Sequence, residues 1–240
     1  MRTVAVVLAG GTGRRFGGST PKQARLLGGR TLVEHCVAAF DASPAIDEVL
    51  VVAAAGLTQE TARQLAGYSK LADVVPGGAA RTDSTSQAIA ALRRGGPDRP
   101  DSNVLFHDAA RPLVDQRIIA DCVAALATWQ AIGVVVPTAD TIVEVADGRL
   151  GQVLPRASLA RCQTPQGFRL SVISRAYELA AADPGFAALS ATDDCGVVRR
   201  YLPDVPIGAV PGSERNLKIT YPGDLDIAEV LLRQDAPAAP

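Results

Sequence analysis

Three glycines and three cations, set close together at the end of an apolar run, are the residues of this chain whose types and spacing most plainly suggest chemistry. Gly10, Gly11 and Gly13 follow Val4 to Ala9, and Arg14, Arg15 and Lys22 come directly after them. Glycine removes the Cβ that would hold a ligand away from the backbone amides. Amides followed by fixed positive charge suit a polyphosphate. The segment is therefore expected to grip a nucleoside triphosphate. It is not a Walker loop, because the position of the second glycine in G-x-x-x-x-G-K-[ST] falls on Arg15 or Phe16. Nor is it the dinucleotide fingerprint: Gly11 and Gly13 are in place, but Phe16 stands where the third glycine belongs.

Other stretches could join this site. Gly77-Gly78-Ala79-Ala80-Arg81-Thr82-Asp83-Ser84 is a glycine turn entering a helix, read either as a seat for a base or phosphate or as an ordinary helix cap. His107-Asp108-Ala109-Ala110-Arg111 places a carboxylate and a guanidinium directly after a buried strand, where Asp108 could bind magnesium or a ribose, or simply pair with Arg111. His107 reads as a structural histidine rather than a base. Lys218 interrupts an apolar segment and should point at an anion. Thr192-Asp193-Asp194 could belong with it or serve as a helix N-cap. Arg156 and Gln163-Thr164-Pro165-Gln166 complete the set.

No Ser-His-Asp or Cys-His arrangement is legible. Cys36, Cys122, Cys162 and Cys195 are scattered, without zinc-site spacing. That pattern fits nucleotidyl transfer, in which the nucleophile is a substrate phosphate already ionised near neutral pH. Catalysis then reduces to positioning and charge neutralisation.

The elements that must position these residues alternate strand and helix. Buried strands are expected at Val4 to Ala9, Glu48 to Ala53, Asp73 to Pro76, Asn103 to His107, Ile132 to Pro137 and Leu217 to Thr220. Helices are expected at Leu32 to Phe40, Thr58 to Tyr68, Thr82 to Arg93, Gln116 to Trp129, Leu170 to Ala182, Cys195 to Tyr201 and Asp224 to Arg233. Such alternation predicts an α/β fold with a mainly parallel sheet and helices on both faces. Ligands in these sheets lie beyond the carboxyl ends of the strands. The rhythm changes at Thr141 to Arg156, two short strand-like runs about Asp147-Gly148, a hairpin signal. Its apolar face could fold back on its own domain or dock on another subunit.

Composition sets the outer bounds. The 240 residues are 48% apolar and 20% charged with net charge −1, so no overall field draws the chain to nucleic acid or an anionic membrane. No apolar run reaches the length of a bilayer span, and the amino terminus shows no signal peptide, so the expected home is the cytoplasm. One domain over residues 1–234 is expected, with an arm at about 138–162 and a disordered tail at 235–240.

Taken in order, L-A-G-G-T-G-R-R-F-G…P-K-Q, G-G-A-A-R-T-D-S, H-D-A-A-R-P-L, Q-T-P-Q-G-F, A-T-D-D and N-L-K-I-T-Y-P-G-D-L resemble the family of 2-C-methyl-D-erythritol 4-phosphate and ribitol-5-phosphate cytidylyltransferases, from about residue 3 to 233. The resemblance implies a Rossmann-like nucleotidyltransferase sheet and a homodimer with exchanged β-arms. It also implies CTP as cosubstrate, Mg²⁺ as cofactor, and attack of a polyol phosphate on the α-phosphate of CTP. By the same resemblance Arg15, Lys22 and Lys218 would be catalytic, and Ala9, Gly10, Gly11, Gly13, Gly78, Arg81, Ser84 and Asp108 would bind the nucleotide. Asp108 would also meet metal or acceptor. Arg111 would support the acceptor end, Thr141 would bind the acceptor, Arg156 and Thr164 would reach the polyol phosphate from the partner's arm, and Thr192 would lie nearby. H-D-A-A-R-P-L is similar to the methylerythritol branch, whereas D-T-I-V-E and T-D-D-C-G-V-V-R-R-Y-L-P-D-V-P are similar to the ribitol branch. Methylerythritol phosphate is the leading acceptor because that branch is the more widespread. A nucleotide-binding regulatory protein without turnover is the non-enzymatic alternative, and a dehydrogenase is disfavoured by Phe16.

Overall fold

The computed structural model describes residues 1–11, 25–95, 101–186 and 193–235. The strands, in chain order, are β1 (Thr3–Ala9), β2 (Leu26–Leu27), β3 (Arg30–Thr31), β4 (Glu48–Ala53), β5 (Leu71–Pro76), β6 (Asn103–Asp108), β7 (Ala131–Pro137), β8 (Val143–Ala146), β9 (Arg149–Val153), β10 (Ala160–Arg169) and β11 (Ile207–Pro211). The helices are α1 (Leu32–Asp41), α2 (Thr58–Leu65), α3 (Arg81–Leu92), α4 (Gln116–Ala125), α5 (Leu170–Ala182), α6 (Asp194–Tyr201) and α7 (Pro222–Asp235).

A 7-stranded sheet, in the order β11-β7-β10-β6-β1-β4-β5, forms the centre. Strand β10 runs antiparallel to both its neighbours and the other pairings are parallel. The expected mainly parallel α/β sheet is therefore observed. Strand β1 is buried along its whole length, which its unbroken apolar run requires. Its alternate residues serve opposite faces. Ala5, Val7 and Ala9 pack with α1, α2 and α4, while Val4, Val6 and Leu8 pack with α3, α5 and α6. Because β4 lies on one side of β1 and β6 on the other, the chain reverses its winding at β1. The crevice beyond β1 and β6 is the place such sheets offer to a ligand.

Several sequence expectations need correction. Leu217 to Thr220 is not a strand: it joins no ladder, and Ile219 N–H donates to the Ala110 carbonyl at 2.8 Å. The helix expected to reach Trp129 ends at Ala125, and the indole lies where a Cβ on Gly208 would be 2.7 Å from it. The helix expected to reach Tyr68 stops at Leu65, before Gly67. Strands β10 and β11 were not anticipated.

The hairpin of β8 and β9 forms where Asp147-Gly148 foretold it. Both residues have positive φ, 49° and 72°, as a two-residue type I′ turn requires. Residues 160–162 already pair with β7, so the arm proper is shorter at its end than the span of about 138–162 read from the sequence.

Candidate active site

Beyond the carboxyl ends of β1 and β6, Gly10 and Asp108 emerge side by side, since Leu8 is paired with Asp108 and Ala109 N–H donates to the Leu8 carbonyl at 3.0 Å. The second glycine turn joins them there. A Cβ on Gly10 would lie 3.0 Å from Ser84 Oγ, one on Gly77 2.8 Å from the same oxygen, and one on Gly78 2.2 Å from Asp83 Cβ. These glycines therefore let the start of α3 approach the sheet. Ser84 is buried; its hydroxyl accepts from Gly78 N–H at 3.3 Å and donates to the Ala80 carbonyl at 3.2 Å. Asp83 accepts from Ala80 N–H at 2.9 Å, closing the first turn. The helix-cap reading of this stretch is met by this turn.

Asp108 is the electrostatic centre. Its Oδ2 meets Lys218 Nζ at 2.7 Å and its Oδ1 meets Arg81 Nε at 3.1 Å. Burial works to raise its pKa, but Arg81, Lys218 and Arg111 together outweigh that and hold it well below the usual carboxylate range. Lys218 does point at an anion, that of Asp108, and its side chain is 40% exposed. Arg81 reaches past Asp108 to Asp194, with Nη1 2.8 Å from Oδ2 of a carboxylate that is 0% exposed. Burial opposes its charge, yet the two carboxylates keep its pKa raised. The guanidinium expected on the nucleotide is thus turned inward between two anions.

Arg111 is also committed to the protein. Its Nη1 donates to the Asn216 carbonyl at 2.8 Å and its Nη2 to the Cys162 carbonyl at 3.3 Å. It fastens the segment carrying Lys218 to β10.

His107 is fully buried, with Nε2 3.0 Å from the Arg111 carbonyl and Nδ1 3.1 Å from Thr164 Oγ1. A carbonyl can only accept, so Nε2 carries the proton and Nδ1 accepts from the Thr164 hydroxyl. Thr164 Oγ1 in turn accepts from Asp108 N–H at 3.1 Å. Burial pushes the imidazole down to about 4. Both nitrogens are occupied, so His107 is structural, as read from the sequence.

Thr164 corrects an expectation. It lies on β10 inside the sheet, 4% exposed, bonded to its own chain's Asp108 and His107 rather than carried on an arm towards a partner. The register of β10 against β7 shifts between Cys162 and Gln166, and this irregularity lets Gln163, Thr164 and Gln166 face inward. The Gln166 side chain accepts from the N–H groups of Asp194 and Cys195 at 3.0 and 3.1 Å, and donates to Asp193 at 2.9 Å. Asp193 caps α6 through Gly196 N–H at 2.8 Å, while Asp194 serves Arg81. The two readings of Thr192-Asp193-Asp194 thus divide between neighbouring residues. Asp194, Tyr177 and Thr85, which stand behind Arg81, carried no signal beyond the acidic pair.

Arg156 and Thr141 are exposed at the base of the arm, where Arg156 Nη1 donates to the Ala139 carbonyl at 2.9 Å. Gly13, Arg15, Lys22 and Thr192 lie outside the described residues. Among the described residues no group of three or more histidine, cysteine or acidic side chains could hold a metal ion. One carboxylate together with substrate phosphates is, however, a usual magnesium arrangement, and ionised Asp108 fits it.

A mainly parallel sheet reversing at β1, with glycine turns, a carboxylate and a lysine gathered beyond the strand ends, defines an α/β protein of the nucleotide-binding kind. The chain belongs to the 2-C-methyl-D-erythritol 4-phosphate cytidylyltransferase family, whose model matches residues 3–234. It is 50% identical over 97% of its length to a Thermobifida fusca protein described as 2-C-methyl-D-erythritol 4-phosphate cytidylyltransferase, covering 94% of that relative. A Haemophilus influenzae protein described as a bifunctional ribulose 5-phosphate reductase/CDP-ribitol pyrophosphorylase is 35% identical over 97% of this chain, which spans 48% of that longer protein. Among solved structures, the 4-diphosphocytidyl-2C-methyl-D-erythritol synthase of Anaerococcus prevotii superposes with a TM-score of 0.82 at 25% identity, covering 97% of this chain and 98% of that one.

Proposed function

We propose that the chain joins CTP to 2-C-methyl-D-erythritol 4-phosphate, forming the CDP-polyol and releasing pyrophosphate, as a step of isoprenoid precursor synthesis. The observation that carries this reading is the Lys218–Asp108 pair, 2.7 Å apart at the switch point of the sheet, with the carboxylate buried and the lysine reaching solvent. A nucleotidyl transfer needs a cation that can meet charge as it develops on the α-phosphate. Lys218 supplies one: an arriving phosphate draws its ammonium from Asp108, whose charge Arg81 continues to balance. The attacking acceptor phosphate is already ionised and needs no base, which agrees with a histidine whose two nitrogens are both engaged.

Gly10 and Gly11 bring the backbone to the triphosphate, and Arg15 and Lys22 add positive charge to it. Gly78 and Ser84 shape the wall that takes the nucleoside. Asp108 would hold Mg²⁺, which when bound supplies neutralising charge to the phosphates. Arg111 keeps the Lys218 segment in place, and Thr192 would contact the acceptor.

The working unit in this proposal is a homodimer joined through the arm. Val145 pairs with Leu150 and Val143 with Val153, and Ile142, Val145, Leu150 and Val153 are 37%, 66%, 77% and 62% exposed. An apolar face of this kind stabilises association when covered, each large side chain contributing about 1.5–3 kcal/mol. Arg156 and Thr141 at the arm's base would then meet the acceptor bound by the partner. Among the described residues no helix is long and apolar enough to cross a membrane, and the balanced charge gives no reason to invoke nucleic acid. The proposed compartment is the cytoplasm.

The test is pyrophosphate release with CTP, Mg²⁺ and either methylerythritol phosphate or ribitol 5-phosphate. Turnover with methylerythritol phosphate is expected to dominate. Preference for ribitol 5-phosphate would reassign the acceptor, and silence with both would leave only the nucleotide-binding alternative.

A further inference from the structure

Asp194 holds a carboxylate at 0% side-chain exposure, in the first turn of α6 and behind the site rather than in it. Its Oδ1 accepts from Tyr177 O–H at 2.7 Å and from Thr85 Oγ1 at 2.9 Å, and its Oδ2 faces Arg81 Nη1 at 2.8 Å. Arg81 passes the contact to Asp108 at 3.1 Å, and Asp108 to Lys218 at 2.7 Å. The four groups alternate in sign, from the floor of α3, α5 and α6 out to a lysine in solvent. A buried ion is costly unless paired, and packing alone would be served as well by an apolar residue. The pattern therefore points to a role for the charge itself.

A guanidinium shared by two buried carboxylates cannot follow an incoming phosphate without stranding one of them. Lys218, held by one carboxylate and half in water, can. We infer that Asp194 is a positioning residue for the transfer: through Arg81 it fixes Asp108, and so sets the place from which Lys218 meets the reacting phosphate. Tyr177 and Thr85 act behind it by fixing the Asp194 carboxylate. This inference rests on the proposed cytidylyl transfer.

The test is a double-mutant cycle of Asp194→Asn and Arg81→Gln in the full-length protein, with kcat and KM for CTP measured on material shown to be folded by its thermal transition. Asp194→Asn alone is expected to lower kcat by about tenfold or more. With the guanidinium freed to bind phosphate in the ground state, KM for CTP should be unchanged or lower. In the Arg81→Gln background, Asp194→Asn is expected to cost less than about twofold more, because it acts through the residue already removed. The same loss in both backgrounds, or a rise in KM with kcat intact, overturns the inference.

Should Asp194→Asn not fold, Tyr177→Phe carries the question. It leaves every charge in place and is expected to lower kcat about threefold in the wild-type background and not at all beside Arg81→Gln; an unchanged kcat in the wild-type background overturns it. Wild-type turnover is measured alongside. Its absence would sink the proposed reaction, whereas normal wild-type turnover with no coupling between Asp194 and Arg81 would sink only the positioning role.

Discussion

The cluster around Asp108 and the β8–β9 arm are opposite solutions to the problem of exposed groups. In the cluster, buried charges answer one another within one chain: Asp194, Arg81, Asp108 and Lys218 form an unbroken series, and Thr164 and His107 exchange a hydrogen bond beneath it. In the arm, Val145 and Leu150 pair across two strands and then face solvent. A polar site is expensive to leave half satisfied, so its charges are balanced locally. An apolar face can wait for a partner, because covering it stabilises whichever surface arrives. The cluster should therefore respond to changes in charge, and the arm to changes in association.

The sharpest way to break the comparison is Lys218→Ala. Turnover should fall about a hundredfold or more, by analogy with removing one preorganised donor from a transition state. The thermal transition should fall only modestly, because the lysine is half exposed and Arg81 still pairs with Asp108. A loss under tenfold in pyrophosphate release would remove Lys218 from the chemistry.

Mixing that variant with Arg156→Ala comes next. If the arm completes its partner's site, each heterodimer regains one of its two sites, so the mixture regains about a quarter of wild-type sites after random subunit exchange, as two-fold symmetry dictates. No recovery would place both residues in one chain's site.

A third change, Gly78→Ala, puts a Cβ 2.2 Å from Asp83 Cβ. Destabilisation of about 1–3 kcal/mol is expected in chemical denaturation, with α3 displaced at its start. A neutral result would show that the turn has room to yield.

The effect of acid is broader. The folded-state pKa of His107, about 4, lies below its ordinary 6.5, so the unfolded chain takes up the proton first. The contribution of His107 is whole above about pH 6.5 and declines as pH falls towards 4, by about 3 kcal/mol in all. Asp108, also held low, adds a loss that begins as pH falls into the ordinary carboxylate range, where the unfolded chain takes up its proton and the folded chain does not. His107→Gln should flatten the upper part of this profile in equilibrium melts between pH 7 and 4.5, and an unchanged profile would assign the acid sensitivity elsewhere.

The sequence made β1, β4, β6 and β7 legible because buried parallel strands read as continuous apolar runs. Strand β10 lies between β6 and β7 and stayed hidden, since Gln163, Thr164, Pro165 and Gln166 interrupt its apolar character. Those polar residues are inside because they serve Asp108, Asn216 and the start of α6. The requirement of the site thus erased the signature of the strand. Leu217 to Thr220 erred in the other direction: its alternation suggests a strand, but its backbone answers a loop. For the site, a carboxylate and a guanidinium directly after a buried strand and a lysine in an apolar run led to Asp108, Arg111 and Lys218, while Asp194's link to Arg81 spans residues far apart in the chain and left no local trace.

Strands β7 and β10 are antiparallel neighbours, so the arm is no more than a long detour between two strands that would meet in any case. Loop closure depends only weakly on length, about 0.6 kcal/mol for each doubling. The detour can therefore be lengthened, trimmed or replaced by inheritance without rethreading the sheet. A lineage can revise its arm while the end of the sheet built on β1 and β6 is passed on intact.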